Sequence, residues 1–187
     1  MDNEGRKKQA DEFLYKFGLL DKLKEYGEPH IIGSYCMNMM AWNDLDIYIS
    51  NKAMSLEKLY ELSEYILSQY KPFWYEAKQV IGDDKKAVWF HGFETEITGE
   101  VWNFDLWFFD DKEILKAQNY YKDINEKTSK NPALKEIVIA IKQALIARGQ
   151  YEYGKYTSID VYKAVFEDGV KSITDFLSAV RNNYFQQ

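Results

Sequence analysis

The sequence predicts an α+β protein: a small mixed β-sheet core flanked by helices, with a C-terminal helical region. Two observations carry that class. Every strand-like stretch lies before Asp110, and every periodic stretch after it is helical. The expected division is therefore a sheet domain over residues 1–110 and a helical region over 111–187, with no internal repeat and no low-complexity tract.

Residues 8–26 read as a helix, with Phe13, Leu14, Phe17, Leu20 and Leu23 near helical spacing and Gly27 as a stop. "PHIIGS" is a short strand ending in a turn, and "DLDIYIS" is a strand that alternates polar and apolar residues. Residues 55–70 form an amphipathic helix, capped by Ser55 and followed by Pro72. Aromatic and β-branched residues mark strands over 73–81, 86–97 and 100–109, broken by "GDDKK" and "TGE" turns. Helices are then expected over 111–127, 131–148, 158–167 and 172–183. Asn131 with Pro132 opens the second of these, and Ser172 with Asp175 is spaced as a capping box for the last.

Of the 187 residues, 46% are hydrophobic and 17% aromatic, ample material for a core. No apolar run approaches the roughly 20 residues that span a bilayer, and the N-terminal stretch lacks the apolar segment of a secretory signal. The single cysteine, Cys36, excludes an intrachain disulfide and a cysteine-rich zinc site. A soluble, cytoplasmic protein is expected. The net charge is −6, with residues 1–110 acidic and 111–187 slightly basic. That balance argues against binding long nucleic acid non-specifically.

The informative segment is "GSYCMNMMAWNDLDIYI", residues 33–49. Asp44 and Asp46 project to one face of their strand, while Leu45 and Ile47 go to the other. Carboxylates about 7 Å apart on one face repel unless a cation lies between them, and Mg²⁺, a hard oxygen-seeking ion, suits that place. A solvent-facing acidic strand explains the triplet equally simply. The Gly33-Ser34 turn would let the backbone approach a phosphate, with Ser34 donating its hydroxyl and N–H. Asp105 is an interior carboxylate on an aromatic strand, sharing a face with Asn103 and Trp107. It reads as a metal ligand or as a buried acid paired with Lys or Arg. A calcium-loop reading of "DLDIYISNKAMS" fails, because Ile49, Tyr48 and Ser55 stand where Gly, an oxygen ligand and Glu are needed.

Ile32, Gly33, Ser34, Asp44, Leu45, Asp46 and Ile47, with Asp105 on a later strand, resemble the motif of the nucleotidyltransferase superfamily of the DNA polymerase β type. Size and helical tail are similar to its minimal and antibiotic-modifying members. The resemblance implies that Asp44 and Asp46 bind two Mg²⁺ or Mn²⁺ ions and that Asp105 binds the ion at the acceptor and helps take its proton. It implies that Gly33 and Ser34 hold the triphosphate of an NTP. The expected reaction moves a nucleoside monophosphate to a hydroxyl of a small-molecule acceptor and releases pyrophosphate. The alternatives are transfer to tRNA or protein, a glycosyltransferase with a metal-binding Asp-x-Asp, and a catalytically silent nucleotide-binding or antitoxin-like partner protein.

Lys142 lies on "IVIAIKQALIA", apolar nearly all round, and either snorkels to the surface or faces the triphosphate, with Arg148 a weaker candidate for that contact. His30, His91 and Cys36 read as structural or surface residues. Trp102, Phe104, Trp107, Phe108 and Phe109 read mainly as core, with Trp107 on the Asp105 face. Glu94, Glu96, Glu100, Asp110 and Asp111 form an acidic group around that strand, suited to a cationic acceptor or simply solvated.

Overall fold

Alternating side chains decide the sheet. Leu45, Ile47 and Ile49 are fully buried on one face of their strand, and Phe104, Leu106 and Phe108 continue that face on another. The computed structural model describes residues 1–82 and 86–184, the last three by their backbone. The chain divides into two units, Met1–Tyr121 and Lys122–Gln187.

The first unit begins with α1 (Asn3–Asp11), which runs into a π turn at Glu12–Lys16, and α2 (Leu19–Leu23). The single helix expected over 8–26 is thus broken. Gly18 sits at φ +75°, a left-handed conformation that ends one helix and starts the next. Strand β1 (Pro29–Ile31), the helical turn α3 (Gly33–Cys36), β2 (Asp44–Ser50) and α4 (Leu56–Tyr70) follow. Ser55 caps α4 by accepting from the Lys58 N–H. Then come β3 (Trp74–Ile81), β4 (Ala87–Ile97), β5 (Glu100–Phe109) and α5 (Asp111–Lys130). The "GDDKK" turn rests on residues 83–85, which lie outside the described residues.

The sheet has the order β1-β2-β5-β4-β3. Only β2 and β5 pair in parallel; the other pairs are antiparallel. This is the mixed α+β architecture that the sequence predicts. One face packs under the N-terminal helices and α4, with Phe13, Leu62 and Ile66 joining the strand residues in one core. Phe93 and Phe104 stack there at 4.5 Å, and Phe13 meets Trp102 edge-on at 5.0 Å. Trp107 and Phe109 depart from the expected core. The alternation that buries Phe108 puts them half-buried on the opposite face, where they stack on each other at 5.5 Å.

In the second unit, α6 (Ala133–Ala147), α7 (Ser158–Phe166) and α8 (Ile173–Tyr184) pack through Val138, Leu145, Val161, Val165 and Phe176. The division between units falls inside α5, since a helix that starts at Asp111 runs through it. Thr157 and Asp160 form a capping box at α7, and the Ser172 hydroxyl accepts from the Asp175 N–H ahead of α8. Among the described residues no helix is long and apolar enough to cross a membrane.

His91 lies on the core face of β4, fully buried, with Nδ1 2.8 Å from the Tyr75 hydroxyl, which in turn donates to Ser63. Burial pushes its pKa down from 6.5 to about 4. Between those values the unfolded chain binds a proton that the folded chain refuses, so stability falls as the pH drops through that window. Urea melts at pH 7 and pH 5 should show the wild type losing about 2 kcal/mol more between them than His91→Gln. Equal losses would show that His91 does not carry this dependence.

Candidate active site

The parallel pairing of β2 with β5 sets Asp46 opposite Asp105 and Asp44 opposite Asn103. Paired residues project to the same face, so two acids from one strand meet a third from a strand far away in sequence. One carboxylate oxygen from each of Asp44, Asp46 and Asp105 lies within 4.8 Å of the other two. All three side chains are partly buried on the face opposite the aromatic core.

The charges around Asp105 are of its own sign. Its pKa is raised from 3.8 to about 7, first by burial, then by Asp44, with Glu76 and Glu94 adding to the rise and a hydrogen bond from Asn103 opposing it. No Lys or Arg of the described residues is among the groups that shift it, unlike in a buried ion pair. The Asn103 amide also donates to Asp44 at 2.8 Å, so one side chain ties two of the acids together. Asn103 has this place because it precedes Asp105 by two residues; the alternation shows the shared face but not the bond.

Gly33 bears directly on the cluster. A Cβ on it would lie 2.2 Å from the Asp46 carboxylate, and its φ is +69°, so both space and backbone require glycine. The Ile32 N–H donates to the Asp46 carbonyl at 3.0 Å, which fixes the turn against β2. Ser34 is 5% exposed, and its hydroxyl is buried without a hydrogen-bond partner. The Gly-Ser turn and the Asp-x-Asp strand, which the resemblance joins in one motif, are thus in direct contact at Asp46.

Other groups feel the cluster. Tyr48 is pushed up to about 12 by burial and then by Asp46, and Cys36 to about 11 by the same two causes. Tyr121 of α5 is also raised, by burial and then Asp46; no sequence signal points to it, since the rotation of α5 is set by packing. Beyond Asp105 the face becomes aromatic. Trp107 packs on Phe90 at 4.2 Å, and Gly92, opposite Asp105, leaves room for the rings of Phe90 and Trp74.

The expected acidic group is dispersed. Glu94 pairs with Asn103 in register and faces the site. Asp110 bonds Lys86 at 2.5 Å and Asp111 bonds Lys52, both outside the carboxylate cluster. Glu76, on β3, is the acid that sequence reasoning missed, because strand order brings it beside Glu94. Lys142 belongs to the helical unit. It is 1% exposed and donates to the Tyr162 hydroxyl at 2.8 Å, so it does not snorkel. Arg148 ends the same helix and is exposed.

No family model and no curated protein matches the sequence. Solved structures do match its fold. The Cid1 poly(U) polymerase, bound to Mg and 3'-dATP, has a TM-score of 0.56 at 15% identity, over 83% of this chain and 49% of that one. A cytoplasmic RNA terminal U-transferase has a TM-score of 0.53 at 16% identity, over 83% of this chain and 47% of that one. The poly(A) polymerase complex GLD-2–GLD-3 has a TM-score of 0.50 at 16% identity, over 89% of this chain and 58% of that one. The chain spans about half the length of these structures. They belong to the polymerase β-like nucleotidyltransferase superfamily, and the sheet with its flanking helices has the nucleotidyltransferase fold.

Asp105 gives the site a pH signature. Between 3.8 and about 7 the folded protein holds a proton that the unfolded chain has lost, so stability declines as the pH rises through that window. Asp105→Asn should therefore stabilise the protein in EDTA at pH 8 by about 4 kcal/mol, and should gain nothing at pH 4. Urea melts read this, and a variant no more stable than wild type at pH 8 would contradict it.

Proposed function

We propose that this chain is a divalent-metal-dependent nucleotidyltransferase, moving a nucleoside monophosphate from an NTP to a hydroxyl of a small acceptor. The observation that supports it most is the convergence of Asp44, Asp46 and Asp105 beside a glycine turn that touches Asp46. A donor set made only of carboxylate oxygens fits Mg²⁺ or Mn²⁺, and the raised pKa of Asp105 marks a place short of positive charge. Asp44, Asp46 and Asp105 would hold one or two such ions, which when bound supply positive charge to the triphosphate and the acceptor oxygen.

The chain's own residues do the rest. The Gly33-Ser34 turn receives the triphosphate, its orphaned hydroxyl finding a phosphate oxygen as acceptor. Asn103 holds Asp44 in place. The Asp105 carboxylate, on the acceptor side, accepts the proton of the attacking hydroxyl. The new bond joins the acceptor oxygen to the α-phosphorus, the bond to the β-phosphate oxygen breaks, and pyrophosphate leaves.

A small acceptor is favoured by charge. Glu76 and Glu94 flank Asp105, an acidic setting that attracts a hydroxylated cation such as an aminoglycoside and repels a polyanion. Trp107 and Phe90 give that acceptor an apolar wall. A second reading, transfer to an RNA hydroxyl, is favoured by the RNA-directed enzymes of similar fold.

Incubation with labelled NTPs and separate pools of aminoglycosides, lincosamides, tRNA and cell protein tests both. Label should enter a small-molecule pool, and Asp44→Asn or Asp46→Asn should reduce transfer to background. Label in tRNA alone would transfer the assignment to the second reading, and label in no pool with any NTP would overturn the function.

A further inference from the structure

The sheet ends at β3, whose outer side pairs with no strand among the described residues. The opposite edge, β1, is three residues long and opens with Pro29, the short and proline-blunted kind of edge that resists further pairing. By contrast, β3 has eight residues and no proline. Trp74, Val80 and Ile81 are 42%, 43% and 59% exposed, and Phe73 just before them is 63% exposed. Long apolar edges of this kind recruit another strand.

Which backbone groups are free follows from the pairing with β4. The Gly82 N–H donates to the Lys86 carbonyl at 2.9 Å, just past the register that pairs Val80 with Val88. Bonding alternates along an antiparallel strand, so Val80, Lys78, Glu76 and Trp74 bond inward, and Ile81, Gln79, Ala77 and Tyr75 turn their N–H and C=O outward. A second β3 related by a two-fold axis must match outward residues to outward residues. An axis at Glu76 sets Glu76 against Glu76, and an axis at Lys78 sets Lys78 against Lys78. An axis at Ala77 sets Glu76 against the partner's Lys78 and Lys78 against the partner's Glu76. It also sets Trp74 against Val80 and Tyr75 against Gln79. Opposite charges and an aromatic–β-branched pair both stabilise cross-strand neighbours, and the pairs involved here are the close, non-hydrogen-bonded kind.

We propose that the chain forms a two-fold dimer by antiparallel pairing of β3 with β3 about Ala77, joining two sheets into one. Glu76 and Lys78 already lie 3.0 Å apart within one chain, so the dimer completes a quartet of alternating charges about the axis. Trp74 and Glu76 lie on the carboxylate face, so that face continues across the axis. The proposal stands on the edge alone and does not depend on the reaction.

Sedimentation equilibrium from low to high micromolar protein tests it. The wild type should dimerise. Glu76→Lys and Lys78→Glu, each setting like charges across both contacts, should weaken dimerisation tenfold or more while circular dichroism stays native. Mixed together, the two variants should associate with each other, because every crossing is again Glu against Lys. Should either fail to fold, Ala77→Pro removes an outward N–H without touching a bond to β4, and it should yield a monomer. A wild type that stays monomeric, charge reversals that leave the dimer intact, or folded monomeric variants that do not associate on mixing would each overturn the proposal.

Discussion

The parallel pairing of β2 with β5 is the constraint on which the rest of the site depends. It places Asp46 directly opposite Asp105 and so gathers three acids on one face, where burial and then Asp44 oppose ionisation of Asp105. The apolar face beneath offsets that cost. Leu45, Ile47, Phe104 and Leu106 flank the acids along the same two strands and are fully buried. Each contributes about 1.5–3 kcal/mol, which together exceeds the few kcal/mol that raising the Asp105 carboxyl from 3.8 to about 7 represents. The strands are held by their undersides, and the upper face is free to carry charge.

That division of labour explains the unusual residues around the cluster. Asn103 is an amide where another acid would add repulsion, and its bond to Asp44 holds that carboxylate in place. Gly33 is bare because Asp46 occupies the space of its side chain. Gly92 is bare because Phe90 and Trp74 fold over it. Asp110 and Asp111, beyond the cluster, are paired with Lys86 and Lys52 and hold their pKa values below the usual range. The acids at the site are thus set apart from those that brace the surface.

Much of this was legible in the sequence. Period-two alternation located β2 and β5, and the resemblance to the nucleotidyltransferase motif grouped Gly33-Ser34 with Asp44, Asp46 and Asp105. Local signals failed where the cause was not local. The helix over 8–26 looked uniform because its apolar spacing survives the break at Gly18, whose left-handed backbone leaves no trace in the pattern. Trp107 and Phe109 looked like core because composition does not tell which face of a strand is covered. Lys142 looked like a snorkelling residue, yet the Tyr162 hydroxyl that holds it lies on a different helix. Glu76 and Tyr121 reach the site through strand order and helix rotation, which no single stretch of sequence encodes.

The proposed function makes the carboxylate cluster and the Gly33-Ser34 turn one metal-dependent nucleotide site. Calorimetric titration with ATP, GTP, CTP and UTP, in Mg²⁺ and in EDTA, tests it most directly. At least one nucleotide should bind in Mg²⁺ and lose that binding in EDTA. Binding of no nucleotide, or binding of equal strength with and without the metal, would contradict that assignment.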